Sequence, residues 1–134
     1  MAWDFETDPE FQEKLDWMDD FVREKVEPLG LLGIHPYDVK NPRRNELVRP
    51  LQEEARAKGL WACHLGPELG GQGYGQVKLG LMNEILGGSS FAPIVFGCQA
   101  PDTGNAEIIA HYGTAEQKER YLQPLLANEI VSAF

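Results

Sequence analysis

The stretch Tyr112–Leu122, YGTAEQKERYL, stops one helix and starts another within three residues, and the rest of the chain must fold around that corner. Gly113 follows the apolar residues Ile108, Ile109 and Tyr112, where a helix commonly ends on a left-handed residue that glycine adopts cheaply. Thr114 stands three residues before Gln117, the spacing of a capping box in which hydroxyl and amide each satisfy an orphan backbone N–H. Glu116 falls in the new first turn, near the positive end of the helix dipole, and is spaced to pair with Arg120. Taken alone, the stretch is a structural corner without chemistry.

The segments around it carry the same helical period. Asp8-Pro9 reads as N-cap and first helical residue. Phe11, Leu15, Met18, Phe21 or Val22, and Val26 then form one apolar face, with Glu10–Lys14 and Asp19–Arg23 on the solvated side. Pro28 and Gly30 are expected to end this helix, and residues 29–45 to form a loop. A second helix is expected from about Arg44 to Lys58, with Leu47, Leu51 and Ala55 facing inward, Pro50 in its first turn and Gly59 beyond its end. Val77, Leu81, Met82 and Ile85 mark another helix, stopped by Gly87-Gly88. The run Ile94-Val95-Phe96 is apolar all round and therefore buried. Asp102 or Thr103 then caps a helix through Tyr112, and Pro124 limits the helix that begins at Thr114. The pattern predicts an all-α bundle of five or six short helices without internal repeat. Glu129–Phe134 leaves that period and reads as the start of a β-strand.

Between the second and third helices, the glycines at 70, 71, 73 and 75 invite comparison with a phosphate-binding loop. No Gly-Lys-Ser/Thr ending follows and no strand precedes, so neither the P-loop nor the dinucleotide fingerprint is matched. A tight backbone turn passing close to a neighbour is the simpler reading, with direct ligand contact as the alternative.

Charge and composition narrow the partners. A formal charge of −9 over 134 residues argues against nucleic acid and against an anionic membrane surface. No apolar run approaches the roughly 18 residues of a membrane span. The N-terminus has no signal-like pattern, and Cys63 and Cys98 read as reduced thiols, so a cytoplasmic location is expected. His35, His64 and His111 lack metal-ligand spacing. No nucleophile is matched to a base: Ser89 and Ser90 lack an elbow motif, and neither cysteine has a histidine in a known catalytic arrangement. The apolar tail Ile130-Val131-Ser132-Ala133-Phe134 wants a partner edge that these residues do not supply. The expectation is a fragment whose next residues continue a β-domain.

Several segments together resemble the N-terminal helical domain of the acyl-CoA dehydrogenases. They are Val26-Glu27-Pro28; Gly59-Leu60-Trp61 followed by Pro67-Glu68-Leu69-Gly70-Gly71-Gln72-Gly73; the Glu84 helix ending at Gly87; and Gly113 through Leu122. Ala100-Pro101-Asp102-Thr103-Gly104-Asn105 resembles one branch, which includes large eukaryotic chains whose dehydrogenase follows a phosphotransferase-like domain.

The resemblance implies a flavoprotein that removes two hydrogens from the α and β carbons of an acyl-CoA, with FAD as cofactor and an electron-transferring flavoprotein as acceptor. It implies a homodimer or homotetramer. Residues 1–128 would be the first domain, and 129–134 the first residues of a middle β-domain. The catalytic glutamate of related enzymes has no counterpart here, and no metal is implied. Phe134 matches the edge of the flavin site. The stretch Phe96 to Thr103, and within it Phe96, Gln99 and Thr103, matches a wall of the acyl pocket. An alternative is a non-catalytic helical interaction module that keeps the family's helices.

Overall fold

The computed structural model describes residues 7–69 and 71–134, so Gly70 and the first six residues lie outside the described part. Helix α1 (Pro9–Phe21) begins as expected: Asp8 is extended and its carboxylate accepts the Phe11 N–H at 2.9 Å. It runs on without a break through a π-helical turn (Val22–Val26) and a 3-10 stretch (Glu27–Leu32). The π turn widens the repeat, so the consecutive residues Phe21 and Val22 are both buried, along with Val26. Pro28 and Gly30 do not end the rod. Pro28 sits where the π turn gives way to the 3-10 stretch, and the chain stops at left-handed Gly33.

Helix α2 (Pro42–Ala57) starts two residues earlier than expected, with Asn41 Oδ1 accepting from the N–H groups of Arg43 and Arg44. Pro42, not Pro50, occupies the first turn, and the helix passes through Pro50. Val48 and Ala55 are buried, with Leu47 and Leu51 half-buried beside them. Gly59 follows the helix with φ +68°, as the left-handed stop requires.

The glycine-rich segment folds back on itself around a short 3-10 turn (Pro67–Leu69), and Gly71 N–H donates to the Gly66 carbonyl at 2.9 Å. A Cβ on Gly71 would lie 1.9 Å from the Leu65 carbonyl oxygen, so only glycine fits there. Helix α3 (Gly75–Leu86) leans on α1 and α4. Its fully buried residues are Met82 and Leu86, while Val77, expected on the inner face, is 77 % exposed. In helix α4 (Ala92–Val95) the run Ile94-Val95 and the following Phe96 are fully buried, as the all-apolar pattern predicts, with Pro93 partly exposed.

Helix α5 (Asp102–Tyr112) has no side-chain cap, because neither Asp102 nor Thr103 fills that role. Gly113 is extended (φ −71°, ψ 146°) rather than left-handed. Its lack of a side chain still matters, since a Cβ would meet the Ile109 carbonyl at 2.5 Å. Helix α6 (Ala115–Gln117) opens on both bonds of the capping box: Gln117 N–H to Thr114 Oγ1 at 3.2 Å, and Thr114 N–H to Gln117 Oε1 at 2.9 Å. A second π turn (Lys118–Leu122) follows at once and changes the spacing on which the Glu116–Arg120 pair depends. Arg120 instead lies 5.2 Å from the Tyr121 ring centre. Pro124 does not stop the rod, which continues through α7 (Gln123–Leu126) to Asn128 at φ +54°.

Contiguous segments thus join into six helical rods among the described residues, the expected all-α bundle. The expected strand does not form: residues 131–134 carry no strand pairing. A strand needs a neighbouring edge to hydrogen-bond, and no other strand exists among the described residues. The main core joins α1–α4, with Phe21 edge-on to Phe96 at 5.9 Å between ring centres. A separate, smaller core lies between α5 and α7, built from Ala106, Ala110, Leu122 and Leu125.

Candidate active-site wall

Three buried polar arrangements set the geometry where α4 meets α5. The first centres on Arg44, which is 1 % exposed. Its Nη2 donates to Asn128 Oδ1 at 2.6 Å, its Nε to the Pro36 carbonyl at 2.9 Å and its Nη1 to Asn45 Oδ1 at 3.0 Å. Gln52 Nε2 donates to the same Asn128 oxygen and to the Ile94 carbonyl, both at 3.0 Å. Burial lowers the Arg44 pKa and neighbouring Arg49 lowers it further, while Asp38 opposes both. The cluster ties α2, α4 and the turn at Asn128 into one body.

The second centres on Asp102, 4 % exposed at the first position of α5. Its Oδ2 accepts from Gln99 Nε2 at 2.9 Å. Its Oδ1 accepts from Ser132 N–H at 2.7 Å and from Ser132 Oγ at 2.6 Å. Asn105 Nδ2 donates to the same Ser132 hydroxyl oxygen at 2.9 Å.

The third is a seam lined by Trp61, His64, Gly97, Gln99, Thr103 and Ala106, enclosing about 10 Å³, room for a single water. Trp61 is held from the far side by Arg56, whose guanidinium lies 3.6 Å from the indole centre. Gln99 Oε1 has no protein partner.

The structure brings Gln99 and Thr103 to this one seam. Phe96 lies elsewhere, wholly enclosed in the main core. Phe134 is fully exposed at the other end of the segment that Asp102 holds. His35 accepts the Tyr37 N–H in the loop before α2, away from the other histidines. His64 and His111 share a cleft of about 260 Å³ with Glu68 and Glu107, floored by backbone of the glycine-rich segment. Sequence reading missed this juxtaposition, since the two histidines are 47 positions apart (111 − 64) and only tertiary packing unites them. Burial lowers the His64 pKa, partly opposed by Glu107. Among the described residues no group of three His, Cys, Asp or Glu is arranged to hold a metal. Cys63 and Cys98 are free thiols, and burial pushes Cys98 up to about 11 and Cys63 upward as well, so both are held as unreactive thiols.

One flank of α5 is apolar, while the exposed Glu107 and His111 occupy another. Ile108, Ile109, Tyr121, Leu125, Ile130 and Val131 line a groove of about 330 Å³ beside the terminal segment.

A family model described as "Acyl-CoA dehydrogenase, N-terminal domain" matches residues 8–129. The chain belongs to that family. It is similar to mouse "Acyl-CoA dehydrogenase family member 10", 40 % identical over 120 residues that span 85 % of this chain and 11 % of the relative. It is also similar to rat "Acyl-CoA dehydrogenase family member 11", 46 % identical over 88 residues, 66 % of this chain and 11 % of the relative. The solved "Structure of a putative acyl-CoA dehydrogenase from Mycobacterium abscessus" superposes with a TM-score of 0.77 at 36 % identity, covering 96 % of this chain and 34 % of that one. The acyl-CoA dehydrogenase domain described here therefore spans about a third of that structure's chain and about a tenth of the mammalian relatives.

Proposed function

We propose that this chain acts as the first domain of an FAD-dependent acyl-CoA dehydrogenase, contributing a wall of the acyl pocket and surface for subunit packing. The observation that carries this reading is the superposition of nearly the whole chain on one third of a larger acyl-CoA dehydrogenase structure. In this reading residues 1–128 are the helical domain and 129–134 lead into a β-domain. The enzyme works in the cytoplasm as a homodimer or homotetramer and passes electrons from FAD to an electron-transferring flavoprotein.

The residues present support a division of labour. With a net charge of −9 the domain is a poor host for the phosphates of coenzyme A, whereas an apolar tail meets no such penalty. Thr103 would contact the tail from the start of α5, with buried Gln99 beside it in the seam and Phe96 set apart in the main core. A seam with room for one water does not admit a hydrocarbon chain, so the tail would run along the outside of this wall. Phe134 would touch the edge of the flavin. FAD, when bound, would take hydride from the substrate β carbon, and the catalytic base would come from outside these residues.

On this reading the isolated chain binds neither FAD nor acyl-CoA appreciably. Titration with FAD, followed by desalting and an absorbance spectrum, should leave the protein colourless. Stoichiometric yellow protein would refute the division. The alternative, a helical module that binds a protein or lipid partner without catalysis, draws on the exposed Ile108 and Tyr112 on α5. Reading the gene beyond codon 134 separates the two: a Thr-Glu-Pro strand motif supports the enzyme, and a stop codon supports the module.

A further inference from the structure

We propose that Asp102 is a positioning residue that fixes the course of the chain from Asn128 to Phe134, making the pocket wall and the approach to the flavin one rigid unit. The purpose assigned to that unit rests on the reading above; the contact itself rests on geometry. Asp102 is a nearly fully buried carboxylate whose hydrogen bonds all come from neutral donors, Gln99 on one side and Ser132 on the other. A carboxylate without a cation is costly to bury unless such donors satisfy it. Its place at the first position of α5 adds favourable helix-dipole field. Helix capping does not explain this arrangement, since Asp102 makes no cap bond.

The far end of the contact is equally specific. Among the described residues of 130–134, Ser132 alone has a backbone N–H with an acceptor, and its side chain alone bonds to the body of the domain. Ile130 and Val131 are only partly covered and Phe134 is fully exposed, so packing does little to direct the segment. Upstream, Arg44 and Gln52 grip Asn128 in its left-handed conformation. Two fixed points, Asn128 and Ser132, therefore define a direction. Asp102 supplies the second, and Gln99 orients Asp102.

Residue-resolved amide exchange on the 134-residue chain tests this. In the unmodified chain the Ser132 amide should exchange about tenfold more slowly than those of Val131 and Ala133. In Asp102→Ala, Ser132 should lose that protection while Ala110, in the middle of α5, keeps its own. Asp102→Asn retains an oxygen for Ser132, and rotation of Gln99 can offer its unpartnered Oε1 to the new amide, so protection should largely return. Asp102→Leu fills a similar volume without an acceptor, so a merely space-filling role predicts that leucine also restores the protection, whereas hydrogen bonding to Ser132 predicts that it does not. Ser132 protection no greater than that of its neighbours in the unmodified chain overturns the proposal, whatever the variants do. So does protection that survives in a folded Asp102→Ala chain, or that asparagine fails to restore. The FAD titration above is independent, so either result can fail without the other.

Discussion

The two halves of this domain differ in how completely they satisfy themselves. Helices α1–α4 share a continuous core in which Met18, Val26, Val48, Met82 and Phe96 are fully enclosed. Helices α5–α7 share only a small core of two alanines and two leucines, whereas large apolar side chains are exposed in both halves, Leu31 and Val77 in the first and Ile108 and Tyr112 in the second. The first half holds the fold together. The second has little core of its own, so its elements rest on fewer buried contacts.

Mutations should separate the halves sharply. Met18→Ala opens a cavity in the main core and should destabilise the chain by about 2–5 kcal/mol in denaturant unfolding. Arg44→Ala deletes a buried guanidinium with its hydrogen bonds, including one of the two donors to Asn128 Oδ1, at a cost of about 1.5–3 kcal/mol. Thr114→Ala breaks the capping box and should cost about 1 kcal/mol. Ile108→Ser, on the open face, should change stability by no more than about 0.5 kcal/mol. If Ile108→Ser proves as costly as Met18→Ala, the distinction between the halves fails.

A pH series sharpens the boundary between them. His64 has a pKa below its unfolded value of 6.5, so the unfolded chain binds more protons as the solution becomes acidic. Stability should therefore be fullest above pH 6.5 and fall as pH drops from there toward the lowered folded-state value. His64→Gln should flatten thermal unfolding curves across that window, and an unchanged slope would show that His64 is not the group responsible.

Local signals in the sequence reached the first half better than the second. The Asp8 cap, the inner face of α1, the Gly59 stop and the buried Ile94-Val95-Phe96 run are properties of residues a few positions apart. The Thr114–Gln117 box was legible for the same reason. Pro50 misled because Asn41-Pro42 is a stronger start, and tertiary packing carries α2 past the later proline. Two π turns shifted the helical repeat without a composition signal, and the second removed the expected Glu116–Arg120 pair. At the candidate wall, Asp102 looked like a cap from its neighbours alone. Its true partner lies 30 residues away, as Arg44 and Asn128 lie 84 apart, and no local pattern encodes such distances.

Hydrogen exchange across the whole chain tests the contrast most directly. Amides in the buried parts of α1, α2 and α4, at Met18, Val48 and Val95, should exchange only through global unfolding. Those of Ala110, Leu122 and Leu125 should exchange faster, through local opening of α5–α7. A single free energy shared by both sets, or greater protection in α5–α7, would contradict the division on which this account rests.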